Sequence, residues 1–201
     1  MPWFPRSADW LVRPLKAVSR CSDARRIPLS AVERSTRGGE YRYFGASKVV
    51  DFVDDYLFEG EYVLVGEDGA SLENFDFDVV QRVSGRFWVN NHAHVLSAEK
   101  CVTNDYLAHY LRAADRSFLI SGATRPKITQ EDLMNLPVVV PSPAEQAAMV
   151  NVADGMRQAG STLAESLTRS VDLLQERKRA LITAAVTGEL DVTTASGRGV
   201  A

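Results

Sequence analysis

This chain is poor in cysteine, in long apolar runs and in catalytic signatures, and each shortage excludes a class. Two cysteines, Cys21 and Cys101, stand far apart, so neither a disulfide framework nor a paired-cysteine zinc site is available. No apolar run approaches the ~20 residues that cross a bilayer. The opening MPWFPRSADW lacks a signal-peptide core. A cytoplasmic protein without membrane contact is expected. There is no phosphate-cradling G-x-x-x-x-G-K-S/T, no H-E-x-x-H and no G-x-S-x-G elbow. An Asp/Asn-Pro-Pro-Tyr/Phe run and a Gly-rich seat for S-adenosylmethionine are also missing. The expectation is a non-catalytic chain with no cofactor and no bound metal.

Charge of one sign is missing locally. Residues 51–80 hold no Lys or Arg and 10 Asp/Glu, whereas residues 1–50 hold 10 Lys/Arg against 4 Asp/Glu. The net charge of −3 argues mildly against a nucleic-acid ligand. Segregation softens that objection, because one face can meet phosphates while another stays acidic. Two solvated faces would look the same.

Short runs rich in Val, Tyr, Phe and Trp read as strands: Tyr41–Phe44, Val49–Val53, Tyr62–Gly66, Phe87–Val89 and His94–Leu96. Trp10–Val18 reads as a short strand or helix entering the core, and Ser30–Gly39 as a polar loop ending in Gly-Gly. A helix over Tyr106–Ala114 is capped by Asn104 or Asp105, and another begins at Thr129. Leu136–Pro141 reads as a last strand. This predicts an α/β (α+β) domain over residues 1–141.

Composition then changes. Ser142, Pro143 and Glu145 together mark a capped helix start, and Gly188 suits its C-terminal cap. Residues 142–188 therefore predict one helix, near 65 Å at ~1.5 Å per residue, followed by a tail over 189–201 that reads as disordered. One heptad position carries Met149, Met156, Leu163, Ser170, Arg177 and Ala184; the other carries Ala153, Gly160, Leu167, Leu174 and Leu181. Met156, Leu163, Leu167, Leu174 and Leu181 are the candidate dimerisation residues of an intermolecular coiled coil. The alternative is a helix folded against its own domain.

The stretch 85–128 packs amides, imidazoles, hydroxyls and cations between short apolar runs. Asn90-Asn91-His92 suits adenine edges, since a carboxamide presents donor and acceptor side by side, though Asn-Asn also shapes turns. Thr124, Arg125 and Lys127 lie on a Gly/Pro-shaped loop suited to phosphates or guanine. Arg37 ends a similar loop, and Ser47-Lys48 follows Gly45. Glu67 or Asp68 could accept from a cytosine amino group. Two weaker patterns compete: His92-x-His94 with Cys101 or His109 as a zinc site, and Glu176-x-Lys178 as a nuclease pair lacking a second converging carboxylate.

Six stretches carry a resemblance: GEYRYFGAS (39–47), DDYLFEGEYVLVGEDGA (54–70), FWVNNHAHVL (87–96), SGATRPKIT (121–129), LPVVVPSPAEQ (136–146) and LLQERKRALITAAVTGEL (173–190). With these the chain resembles the specificity subunit of type I restriction-modification systems, over residues 9–191. The resemblance implies a target recognition domain and a spacer helix that pairs antiparallel with another. It also implies that methylation and cleavage belong to partner methyltransferase and restriction subunits. It suggests DNA contacts by Arg37, Tyr43, Ser47, Lys48, Asn90, Asn91, His92, Thr124, Arg125 and Lys127. One recognition domain and one helix make this a half-length form, expected to act on double-stranded DNA as a homodimer. The alternative is a truncated subunit that regulates the methyltransferase complex or acts as its decoy.

Overall fold

In the computed structural model, residues 10–68, 79–99, 101–114, 120–121 and 126–189 are described. Strands β1 (Leu11–Pro14) and β2 (Ser19–Cys21) are followed by helix α1 (Ala31–Thr36) and strands β3 (Gly38–Phe44), β4 (Val49–Val53) and β5 (Phe58–Gly66). Next come β6 (Val80–Val89), β7 (Ala93–Ala98), α2 (Asn104–Ala113), β8 (Ile120–Ser121) and β9 (Lys127–Ile128). Helix α3 (Gln130–Asn135), β10 (Pro137–Val140) and α4 (Pro143–Val186) complete the order. The main sheet runs β2-β7-β5-β6-β3-β4, antiparallel except where β3 lies parallel to β6. The mixed fold class expected from the sequence holds, with the long helix after it.

Strand β5 explains why the sheet is buried on both sides. Consecutive side chains of a strand point to opposite faces. Val63 and Val65 enter one core with Leu15, Leu96, Leu107, Leu111, Ile128 and Leu133. Leu64, between them, enters a second with Phe44, Phe58, Phe87 and Val95. A strand covered twice reads as a continuous apolar run, which is what YVLVG is. Phe58 and Phe87 are register partners and stack at 5.5 Å, with Phe44 edge-on to Phe87 at 5.8 Å.

Several element ends differ from expectation. Strand β6 extends back to Val80 because Gln81 and Arg82 pair their backbones with Leu64 and Val63 despite polar side chains. The expected loop Ser30–Gly39 is instead α1 followed by the start of β3. Ser30 accepts from the Glu33 N–H at 3.2 Å, and the Glu33 carboxylate accepts from the Ser30 N–H at 2.7 Å, a reciprocal cap. None of α1 is buried, so no apolar periodicity announces it. Thr103, not Asn104 or Asp105, caps α2. The Asn104 carboxamide accepts from the Ala98 N–H and donates to the Glu61 carbonyl instead.

The start of α4 forms as expected: the Glu145 carboxylate accepts from the Ser142 N–H at 2.8 Å, and Gly188 has φ 76° beyond its end. Its 44 residues span about 66 Å. The chain divides into two compact units, the first ending at Asn151 rather than at Pro141. The reason is that the first turns of α4 belong to the core. Buried Gln146 donates to the Cys101 and Pro141 carbonyls and accepts from the Thr103 N–H. Met149, given above as a seam residue, packs on the first core. In the second unit Met156, Leu163, Leu167, Leu174 and Leu181 are 48–64% exposed. Among the described residues, no helix is long and apolar enough to cross a membrane.

Phe87 joins three aromatic partners in a fully buried site. Phe87→Ala is expected to remove about 3–5 kcal/mol of stability, measured by guanidinium unfolding. A loss under about 1 kcal/mol would mean the aromatic cluster is not the centre of that core.

Candidate nucleic-acid interface

One end of the main sheet gathers three backbone segments that are distant in sequence. The turn 45–48 joins β3 to β4, closed by the Gly45 N–H on the Lys48 carbonyl at 2.9 Å. The turn 90–92 joins β6 to β7, and the Asn90 N–H donates to the Phe44 carbonyl at 3.1 Å. Glu67 and Asp68 leave β5 between them: the Glu67 N–H donates to the His92 carbonyl, and the Ile128 N–H to the Glu67 carbonyl. Gly66 is required here, since a Cβ would stand 2.7 Å from the Ala46 carbonyl oxygen. Ser47, Lys48, Asn90, Asn91, His92 and Lys127 are thus neighbours in the fold.

Their side chains differ in what they offer. Lys48 and Asn91 are exposed, and Ser47 is half-buried. Asn90 is buried and its Oδ1 accepts from the His92 N–H at 2.8 Å, which is turn chemistry rather than a free base-reading edge. His92 stands half-exposed with Nδ1 at 3.0 Å from both Asp68 oxygens. Lys127 is half-exposed and its ammonium lies 3.0 Å from Glu67 Oε1.

Three sequence expectations require correction. Tyr43 is 1% exposed, and its hydroxyl accepts from the Leu29 N–H at 2.9 Å, so its ring belongs to the core and not to a DNA-facing surface. Arg37 precedes β3, the strand length of which places it about 20 Å from the turn 45–48. There it pairs with Asp54 at 2.9 Å and lies over the Trp88 ring at 4.9 Å. Glu67 is buried between Arg26 and Lys127 and is not available to a base. Thr124 and Arg125 lie outside the described residues.

Beneath the interface is an ionic knot that sequence inspection missed. The Arg26 guanidinium donates to Glu67 Oε2 at 2.6 Å and to the Ala93 carbonyl at 2.8 Å, and lies 3.3 Å from Asp23. Asp23 accepts from His94 Nδ1 at 2.6 Å and from the Val95 N–H at 2.8 Å. His94 Nε2 donates to the Ile128 carbonyl at 3.0 Å. Both nitrogens of the buried ring thus meet acceptors, the Asp23 carboxylate and the Ile128 carbonyl. Burial alone would raise the Asp23 carboxyl, but the His94 and Val95 hydrogen bonds and the His94 and Arg26 charges outweigh it and hold the carboxyl below its ordinary value. Apart from Asp23 and Arg26, which are i,i+3 neighbours, these partners are 34–72 residues apart, so no local pattern signals them.

Metal binding finds no support in this geometry. Among the described residues, Cys21, Asp23 and His94 form a group of three candidate ligands. Burial pushes the Cys21 thiol up to about 12, both His94 nitrogens are engaged, and the Arg26 charge is adjacent. His92 and His94 do not share a ligand: one meets Asp68 and the other Asp23. Neither Cys101 nor His109 joins such a group among the described residues. Glu176 and Lys178 are exposed on α4.

The family model for the type I restriction modification DNA specificity domain matches residues 7–161. The chain belongs to this family. A putative type I restriction enzyme specificity subunit from Haemophilus influenzae is 34% identical over 149 residues, covering 74% of this chain and 37% of that protein. The EcoprrI specificity subunit of Escherichia coli is 28% identical over 137 residues, 68% of this chain and 32% of the other. Among solved structures, a chain from a study of type I R-M complex assembly aligns at TM-score 0.70 and 18% identity, covering 94% of this chain and 48% of that one. The S subunit from M. genitalium aligns at TM-score 0.61 and 17% identity, over 81% and 43%. At these identities the structures show a shared fold. This specificity-domain chain spans about a third of the length of the curated relatives it matches, and under half of the solved chains.

The depressed Asp23 carboxyl stabilises the fold above the ordinary Asp range, and that contribution is lost as pH falls below about 4 toward its folded value. Asp23→Asn is expected to lower stability at neutral pH and to flatten the acid limb of a stability-versus-pH curve from urea midpoints. Parallel curves for the two proteins would show that Asp23 is not held in this way.

Proposed function

We propose that this specificity domain reads one half of a split duplex site through the turn 45–48, the turn 90–92 and the segment around Lys127. The observation that carries the proposal is the convergence of these three segments at one sheet end in a chain of this family. Phosphates would meet the exposed cations Lys48 and Lys127, and base edges would meet Asn91, His92 and Ser47. The chain carries no reaction of its own in this reading. Methyl transfer, and cleavage where a restriction subunit is present, belong to partners that it places on DNA.

We further infer that α4 pairs with the same helix of a second copy. Five seam residues at 48–64% exposure would otherwise remain in water. Burying an exposed Leu side chain gains about 1.5–3 kcal/mol, so the seam favours association by several such steps. Two-fold pairing of identical readers makes the two half-sites inverted repeats. A helix near 66 Å is long enough to separate them by several base pairs at ~3.4 Å per step.

Two measurements test this. Sedimentation at micromolar concentration is expected to give a dimer, and Leu163→Glu with Leu174→Glu a folded monomer; a wild-type monomer contradicts the pairing. Selection from a randomised duplex pool is expected to return paired inverted half-sites. Lys48→Ala is expected to weaken binding uniformly across sequences and to lower the log–log salt slope by about 1. An unchanged slope would remove Lys48 from the interface.

A further inference from the structure

His92 and Asp68 form a pair whose geometry goes beyond holding a turn. The His92 side chain is 39% exposed and that of Asp68 15%, with Nδ1 equidistant at 3.0 Å from both carboxylate oxygens. An ionised carboxylate only accepts, so Nδ1 carries a proton whether the ring is neutral or charged. The backbone is fixed as well: the His92 N–H is bound by Asn90 Oδ1, and its carbonyl accepts from the Glu67 N–H. Asp68 is itself bridged to Lys127 on β9. Among the described residues Nε2 has no recorded contact of this kind, which leaves it as the ring nitrogen to meet a ligand.

We propose that His92 reads one base of the half-site through Nε2, and that Asp68 is the positioning residue that decides how it reads. This rests on the DNA-reading role proposed above for this end of the sheet. With Nδ1 protonated and the ring neutral, Nε2 is an acceptor. The major groove presents two kinds of donor, the N6 amino group of adenine and the N4 amino group of cytosine. Protonation turns Nε2 into a donor, which suits guanine O6 and N7 or thymine O4. One position of the site thus changes its preferred base with pH. Among the described residues, the charged groups on the segments that meet at this end of the sheet are Asp68, paired with the ring, Glu67 with its partners Arg26 and Lys127, and Lys48 on the turn 45–48.

Two readouts test the proposal on the intact protein. In the free protein, long-range proton–nitrogen correlation of the imidazoles is expected to show neutral His92 with its proton on Nδ1, and both tautomers in Asp68→Asn. Duplex selection at about pH 6 and about pH 8.5 is expected to move one position from guanine or thymine to adenine or cytosine, by about tenfold. Asp68→Asn is expected to lose that shift and keep the other positions. His92→Gln, on an exposed turn, loses discrimination at the same position without touching Asp68. An unchanged tautomer and an unchanged preference in Asp68→Asn would overturn the proposal, as would a change spread evenly over all positions. Failure of the wild type to select any duplex would overturn the DNA-reading role as well, whereas selection indifferent to His92 would overturn this inference alone.

Discussion

Arg26 is where the candidate interface is tied to the core. Its guanidinium reaches Glu67 at the end of β5, the Ala93 carbonyl at the start of β7, and Asp23 after β2. Glu67 in turn holds Lys127, and His94 holds the Ile128 carbonyl. A charge held largely out of water is tolerated only when partners and hydrogen bonds compensate it, and removing one partner leaves the others uncompensated. The knot therefore ties down the end of β5, the start of β7 and the segment around Lys127, while the turns 45–48 and 90–92 are closed by their own hydrogen bonds.

The two halves of the chain rely on different forces. In the first unit, apolar residues line both faces of β5 and close two cores, and the leftover polarity is gathered into the knot. In the second, apolar residues line a helix and remain exposed. In the proposed reading, a DNA reader built on the first principle and a spacer built on the second would share one chain.

Much of the fold was legible because its signals are local. Val49–Val53 appears as a strand with the ends expected from its composition, and Thr129, Ser142 and Gly188 mark helix ends through short-range capping chemistry. Helix α1 was not legible, since an exposed two-turn helix has no apolar face to announce it. The extension of β6 was hidden because ladder pairing by Gln81 and Arg82 depends on a partner strand. At this end of the sheet, Gly-shaped turns marked segments that the fold brings together, but side-chain contacts depended on distant partners. Tyr43 looked like a surface aromatic until Leu29 covered it, and Arg37 looked like a phosphate contact until Asp54 and Trp88 occupied it. Glu67 looked free within an acidic run because its cations, Arg26 and Lys127, lie far away in sequence.

The most direct test of which surface reads DNA is amide chemical-shift mapping during titration with a duplex recovered by selection. Shifts concentrated at residues 45–48, 90–92 and 126–128, with α1 and Arg37 unmoved, are the result this account predicts. Shifts centred on α1 and the start of β3, with the turn 90–92 unchanged, would contradict it.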